Sequence, residues 1–322
     1  MTNQDPSSAP LRARSVLLLM VTVTMWAGNA LFTRYLAGLY NVWTQNAFRY
    51  ICAAVTLVAI GVVQGRFTHR LTREQWQRLL LVTAANLCMQ TNYAAVFYFI
   101  YPAVAILVVR LNIIFTTVLS FALFHDERGV IRSPRFIAGA TLAFGGVIAV
   151  IIGRNPELLS ELEVSEGDFW IGIGLSVSLA LFSSLYAVAI KHAVRDVPPL
   201  VTFTHVSWTT ALGLALLMFV MGGVSDLWHQ PPIGILVMVL TALLSIVLAH
   251  GCYYAALREV KAVVSTSILQ LTPVITCILS ALVYGDRLTP LQIAGGAAVI
   301  GGAWLAALAQ ARGVGTTKRK TR

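Results

Sequence analysis

Gly139-Ala-Thr-Leu-Ala-Phe-Gly145-Gly146 and Gly295-Gly-Ala-Ala-Val-Ile-Gly301-Gly302 carry one pattern, Gly-x5-Gly-Gly, once in each half of the chain. Each lies inside an apolar run without a charge. Crossing the hydrocarbon as a helix takes about 20 mostly apolar residues. Ten stretches meet that length: 16–37, 42–63, 76–97, 102–124, 135–153, 169–190, 199–222, 232–256, 261–284 and 290–310. Charged residues make up 11% of the 322 and hydrophobic ones 57%, whereas a soluble domain carries roughly 25% charged residues. The surface of this chain is therefore built for lipid. The predicted fold class is an all-α membrane protein with ten transmembrane helices.

Lys and Arg resist translocation, so their distribution sets orientation. With the N-terminus placed in the cytoplasm, 18 of the 23 basic residues fall on cytoplasmic segments. Arg154 and Arg287 lie on outer loops, and Arg34, Arg49 and Arg110 lie inside spans. The segment 154–168 carries Glu157, Glu161, Glu163, Glu166 and Asp168, as a periplasmic loop can. Both termini are thus expected inside, on a multi-pass protein of the inner membrane. The net charge of +10 is spread over loops facing an anionic leaflet, so nucleic acid is not an expected partner. The segment 311–322 reads as a basic cytoplasmic tail with Thr316–Arg322 as a disordered membrane-surface anchor, and Met1–Arg14 as a polar cytoplasmic tail (1–15) without a cleavable signal. Cys52, Cys88, Cys252 and Cys277 all fall inside spans without a CxxC spacing. They read as small apolar residues, not as a metal site or a disulfide framework.

The halves match beyond their glycines. An acid–arginine pair precedes each Gly-x5-Gly-Gly helix, Glu127-Arg128 and Asp286-Arg287. Trp26-Ala-Gly-Asn-Ala-Leu-Phe-Thr-Arg34 is echoed by Ser183-Ser-Leu-Tyr-Ala-Val-Ala-Ile-Lys191, and Tyr93-Ala-Ala by Tyr254-Ala-Ala. Five spans per half is an odd number, so the second half enters from the opposite side. The predicted layout is two inverted five-helix repeats, 16–153 and 169–310. In transporters built this way the substrate site lies at the repeat interface near mid-bilayer. The six glycines are expected to let helices five and ten approach closely. Pro273, inside span nine after Gln270 and Thr272, is expected to kink its helix and free carbonyls there.

These elements, with Phe48-Arg49 in span two, resemble the EamA type of the drug/metabolite transporter superfamily across residues 16–310. The resemblance implies a central cavity lined by spans one to four and six to nine, and export of small metabolites, commonly amino acids, across a bacterial inner membrane. One departure stands out. The Pro expected in mid-span four is absent, with Ile114 opposite Pro273 and with Arg110 and Asn112 in that neighbourhood.

Ionisable groups inside a span cost roughly 2.5–3.5 kcal/mol for a central Arg. No Asp or Glu falls in the middle of a span, so Arg110 has no carboxylate partner in sequence. It reads as a cation facing a wet cavity, with fork geometry suited to carboxylate or phosphate; the structural alternative ties it to carbonyls or to a loop acid. Asn86, Gln90, Asn112 and Gln270 are candidate polar lining, and Trp26, Tyr186 and Tyr253 candidate walls. His205 and His250 titrate nearest neutrality and are coupling candidates; for each, a buried hydrogen-bonded role is the plainer account. Arg34 and Arg49 match basic positions of the family, where a structural role stands beside substrate contact.

The absence of an intramembrane acid disfavours proton-coupled efflux of cationic drugs. No HExxH, GxSxG or His/Asp cluster marks an intramembrane enzyme, and no cofactor or metal is expected. The expected function is secondary transport: export of a small organic solute bearing an anionic group, such as an amino acid carboxylate, by alternating access. A lipid flippase or a non-transporting scaffold fits the composition as well. Membrane lipids are the other expected partners, and monomer and homodimer both stay open.

Overall fold

The computed structural model describes residues 13–65, 70–123, 131–155, 163–193, 197–257 and 268–320. The regular structure among them is helical: α1 Ala13–Ala37, α2 Val42–Val63, α3 Arg73–Val96, α4 Pro102–Leu123, α5 Pro134–Ile152, α6 Glu166–Ala193, α7 Pro199–Met221, α8 from Pro232 to Leu257, α9 Leu271–Tyr284 and α10 Pro290–Lys320. Among the described residues nine of these are long and apolar enough to cross a bilayer, and α9 is a shorter apolar helix. The first residues expected in span nine (261–267) lie outside the described residues, as do Glu127 and Arg128.

The helix starts follow from local chemistry. Pro opens α4, α5, α7, α8 and α10, where a missing N–H leaves no hydrogen bond unmade. Asn41 caps α2 by accepting from the amides of Trp43 and Thr44. Thr72 and Gln75 form a capping box on α3. The turn 97–101 separates α3 from α4, although the sequence is apolar on both sides of it.

Packing reveals the inverted repeat. If α1 to α5 correspond to α6 to α10, the packing of α3 on α6 is the counterpart of α8 on α1. The pairs α2–α7, α4–α9 and α5–α10 are each their own counterpart. All of these pairs are in contact, and α5–α10 is the most extensive. Such a pattern requires a pseudo-twofold axis in the membrane plane.

At α5–α10 the glycines explain the closeness. A Cβ on Gly146 would sit 2.5 Å from the Gly295 carbonyl oxygen, and one on Gly302 2.5 Å from the Gly139 oxygen. Gly139 and Gly295 are as tightly met by backbone. Gly145 and Gly301 have nothing within 4 Å of such a Cβ, which corrects the expectation for these two. They lie one residue off the contact stripe, about 100° round the helix, and point away from the partner.

The interruption expected at Pro273 lies three residues before it, at Gln270: the regular helix of α9 runs from Leu271, with the proline in its first turn. Two further expectations change. Glu166 and Asp168 belong to the first turn of α6, not to a loop, where carboxylates favour the helix dipole. The tail read as disordered is helical to Lys320, the helix of the Ala-rich run from Ala303 continuing through Gly313 and Gly315.

Candidate functional site

Arg110 sits where α4 stops being an α-helix. Residues Pro102–Val108 are α-helical, Val109–Leu111 form a 3-10 turn, and Asn112–Leu123 resume the α-helix. The corresponding helix of the other repeat, α9, is broken at Gln270. Both halves therefore carry an interrupted helix, with a proline in only one of them. Discontinuous helices at mid-membrane are the usual frame of a transport site.

The side chains at these breaks are unsatisfied. Arg110 Nε, Asn112 Oδ1 and Gln270 Oε1 are buried without a hydrogen-bond partner, and Gln270 is 9% exposed as a whole. Arg110 comes into electrostatic reach of Cys277 on α9. The Asn112 carbonyl accepts from Ser184 Oγ of α6 at 2.9 Å. Native proteins rarely leave buried polar atoms unpaired, which makes these breaks a candidate place for a polar guest, although Gln45 Oε1 and Arg49 Nε are buried in the same way.

A second constellation surrounds Arg49, which is 3% exposed. Its guanidinium donates to Thr33 Oγ1 at 3.1 Å and to Asn29 Oδ1. Asn29 in turn donates to the Tyr93 hydroxyl at 2.9 Å. Arg34 donates to the Phe97 carbonyl and lies 4.5 Å over the Tyr101 ring. Both arginines thus tie helices together through neutral oxygens, which is the structural role. Sequence alone does not mark Asn29 and Tyr93 as lining: a lone Asn and a Tyr in apolar spans carry no signal without their partners.

The remaining candidates fall elsewhere. Asn86 is buried between α3 and α7, donating to Thr210 Oγ1 at 2.9 Å, and Gln90 reaches Asn86 only at 3.5 Å. Tyr186 packs on the Leu79–Val82–Val206 cluster. Trp26 Nε1 donates to the Ser245 carbonyl at 3.2 Å, and its ring meets His250 at 5.2 Å and Tyr253 at 5.7 Å. His250 stacks on Phe203 at 4.8 Å. A π-helical segment, Ala242–Leu248, interrupts α8 here and offers Ser245 O to Trp26. His205 accepts from Trp208 Nε1 at 3.1 Å and stands edge-on to Trp76. The structure thus brings Trp26, His250 and Tyr253 into one aromatic cluster, and Arg110, Asn112 and Gln270 to the two helix breaks. Asn86, Tyr186 and His205 lie in contacts between helices, apart from both groups.

One end of the bundle, bearing the turns 38–41, 97–101, 222–231 and 285–289 and expected outside from the charge count, is tied together by hydrogen bonds. The Tyr98 hydroxyl accepts from Gln45 Nε2 at 2.7 Å and donates to the Tyr40 carbonyl at 2.6 Å. Tyr284 donates to the Leu31 carbonyl at 2.7 Å, and Asn41 to Asp226 at 2.7 Å. Towards the opposite end α3 and α4 diverge over α6, leaving an apolar groove of about 500 Å³ lined by Leu81, Cys88, Leu123, Phe182 and others, with Arg78 and His192 among them. Among the described residues no cluster of His, Cys, Asp or Glu is placed to hold a metal.

Comparison with known proteins agrees with this geometry. The model of the EamA-like transporter family matches residues 13–152 and again 170–308, once per repeat. An uncharacterized transporter of Bacillus subtilis (strain 168), YyaM, is 25% identical over 270 residues, spanning 83% of this chain and 85% of that one. A protein of known crystal structure superimposes with a TM-score of 0.64 at 18% identity, over 94% of this chain and 99% of its own.

Proposed function

The chain belongs to the EamA-like transporter family of membrane transporters, and from that premise we propose that it exports a small organic solute bearing an anionic group, such as an amino acid carboxylate, across the inner membrane by alternating access. Both termini stand in the cytoplasm in this reading. The observation that carries it is Arg110: a guanidinium on a broken mid-membrane helix, with its Nε buried and unpartnered and no carboxylate in the middle of a described span. A cation kept in hydrocarbon without a counter-charge is costly, and such groups mark substrate pathways. A carboxylate arriving from the cytoplasm would supply the missing charge and two acceptor oxygens for the fork. Asn112 and Gln270, left with free carbonyl oxygens, would meet the donors of the same guest. Trp26 and Tyr253 would wall the cavity, with His250 beside them as the coupling candidate. The sealed outer end corresponds to the state that loads from the cytoplasm.

A thermal-shift screen of the detergent-purified protein against anionic, zwitterionic and cationic metabolites tests this. A ligand at 100 times its dissociation constant adds about 2.7 kcal/mol of apparent stability. Carboxylate or phosphate compounds should stabilise the wild type and not Arg110→Gln, which should also lose flux in proteoliposomes while folding normally. Stabilisation by cations alone, or equally in the variant, would make Arg110 structural.

A further inference from the structure

Asp286, in the turn between α9 and α10, is 4% exposed and the one buried acid among the described residues. Its Oδ2 accepts from the Ala103 amide in the first turn of α4 at 3.3 Å and from Ser280 Oγ of α9 at 3.0 Å. The Cys277 thiol, one turn further in, lies 3.9 Å from the Ala103 carbonyl. The carboxyl therefore closes the outer ends of α4 and α9, the two interrupted helices, onto one another. The charged and titratable groups around it are Arg34, Arg154, Arg287, Tyr101, Tyr284 and Cys277. Arg34 favours its charge from a distance but is engaged by Phe97 and Tyr101. Arg154 is paired with Glu166 at 2.7 Å. Beside Asp286 a pocket of about 30 Å³, bounded by Arg154, Asn155, Arg287 and Gln292, has room for a water.

Burial pushes the Asp286 carboxyl above the ordinary carboxylate range, against two hydrogen-bond donors and Arg34. The sign of the consequence is fixed by linkage. A proton binds more tightly to the sealed form, where the carboxyl is dry, than to an open form, where water stabilises the charge. Protonation favours the seal; ionisation favours opening.

We propose that Asp286 is the proton-binding site of the outer gate: the neutral carboxyl seals α9 to α4, and the ionised one opens the outer end, exchanging its proton with outer water through the adjacent pocket. The proposal rests on alternating access, since it needs an outer gate, but not on the identity of the solute.

Cys277 reports on this directly. In right-side-out vesicles, the full chain with Cys52, Cys88 and Cys252 changed to Ala would be alkylated from outside with a membrane-impermeant maleimide. At mildly alkaline outer pH, Cys277 should react several-fold faster with Asp286 present than in Asp286→Asn, whose side chain is always neutral. The two rates should converge in mild acid. Comparison at equal pH removes the slowing of thiol alkylation by acid itself. Ser280→Ala deletes a donor that favours the ionised form, so it should move the closing transition to higher pH, a displacement that a purely structural contact would not give. Equal rates with Asp and Asn, or no displacement in Ser280→Ala, would overturn the proton site. If Tyr98→Phe still accelerates labelling in that case, alternating access stands without it; if Tyr98→Phe is also without effect, the outer gate falls as well.

Discussion

Asn29 holds two neighbours at once, accepting from the buried Arg49 guanidinium and donating to the Tyr93 hydroxyl. Its removal strands a charged donor, so Asn29→Leu should cost about 1–3 kcal/mol, read as a lowered Tm in detergent. Asn29→Asp keeps an acceptor for both partners and adds a counter-charge, and should melt no lower than wild type. Arg110 differs from Arg49 in this respect. Both have a buried Nε without a partner, but the terminal nitrogens of Arg49 are held by Thr33 and Asn29, whereas Arg110 sits at the break in α4. Replacing Arg110 with Gln should therefore leave Tm close to wild type while transport falls at least tenfold, about 1.4 kcal/mol of lost interaction. Both arginines are visible in the sequence as charges inside apolar runs. Which one has its terminal nitrogens held depends on Asn29 and Thr33, 20 and 16 residues away on α1, and no local pattern reveals that.

Helices α5 and α10 make the test at the level of elements. Gly146 and Gly302 admit no Cβ without pushing partner backbone aside, whereas Gly145 and Gly301 admit one freely. Gly146→Val should lower stability by about 1–3 kcal/mol or more through overpacking, and Gly145→Ala should be neutral or slightly stabilising, since Ala favours helix over Gly by roughly 1 kcal/mol. Melting of the purified variants distinguishes them. The Gly-x5-Gly-Gly motif marked the right helices, but within it only the register of packing separates contact glycines from lipid-facing ones. The break in α4 is the converse case. Its sequence has no proline, yet a 3-10 turn forms at Val109–Leu111, opposite a helix broken at Gln270. No proline or glycine at the break accounts for the interruption.

At the scale of the whole molecule, sealing one end and diverging at the other is what a pseudo-twofold protein must do asymmetrically in order to transport. The seal is a set of few hydrogen bonds. Tyr98→Phe removes the hydroxyl that accepts from Gln45 and donates to Tyr40. Losing about 1 kcal/mol from the sealed state should raise the open population roughly fivefold, read as faster alkylation of Cys277 from outside.

Hydropathy and charge by themselves determined ten spans, their order, their likeness across two halves and the family, because each depends on composition along the chain: a bilayer rewards apolar length and penalises translocated Lys and Arg. The site was only half legible for the same reason. A polar side chain in a span declares that it needs a partner but not which one. Tertiary packing paired Asn86 with Thr210 and the terminal nitrogens of Arg49 with Thr33 and Asn29, and left Arg110, Asn112 and Gln270 among the side chains with unmatched atoms. It also drew Asp286, which the sequence places at the end of a span, into a dry contact between α4 and α9. Hydrogen bonding is a pairwise property of helices brought together, so the division between structural and functional polar residues is made by the fold.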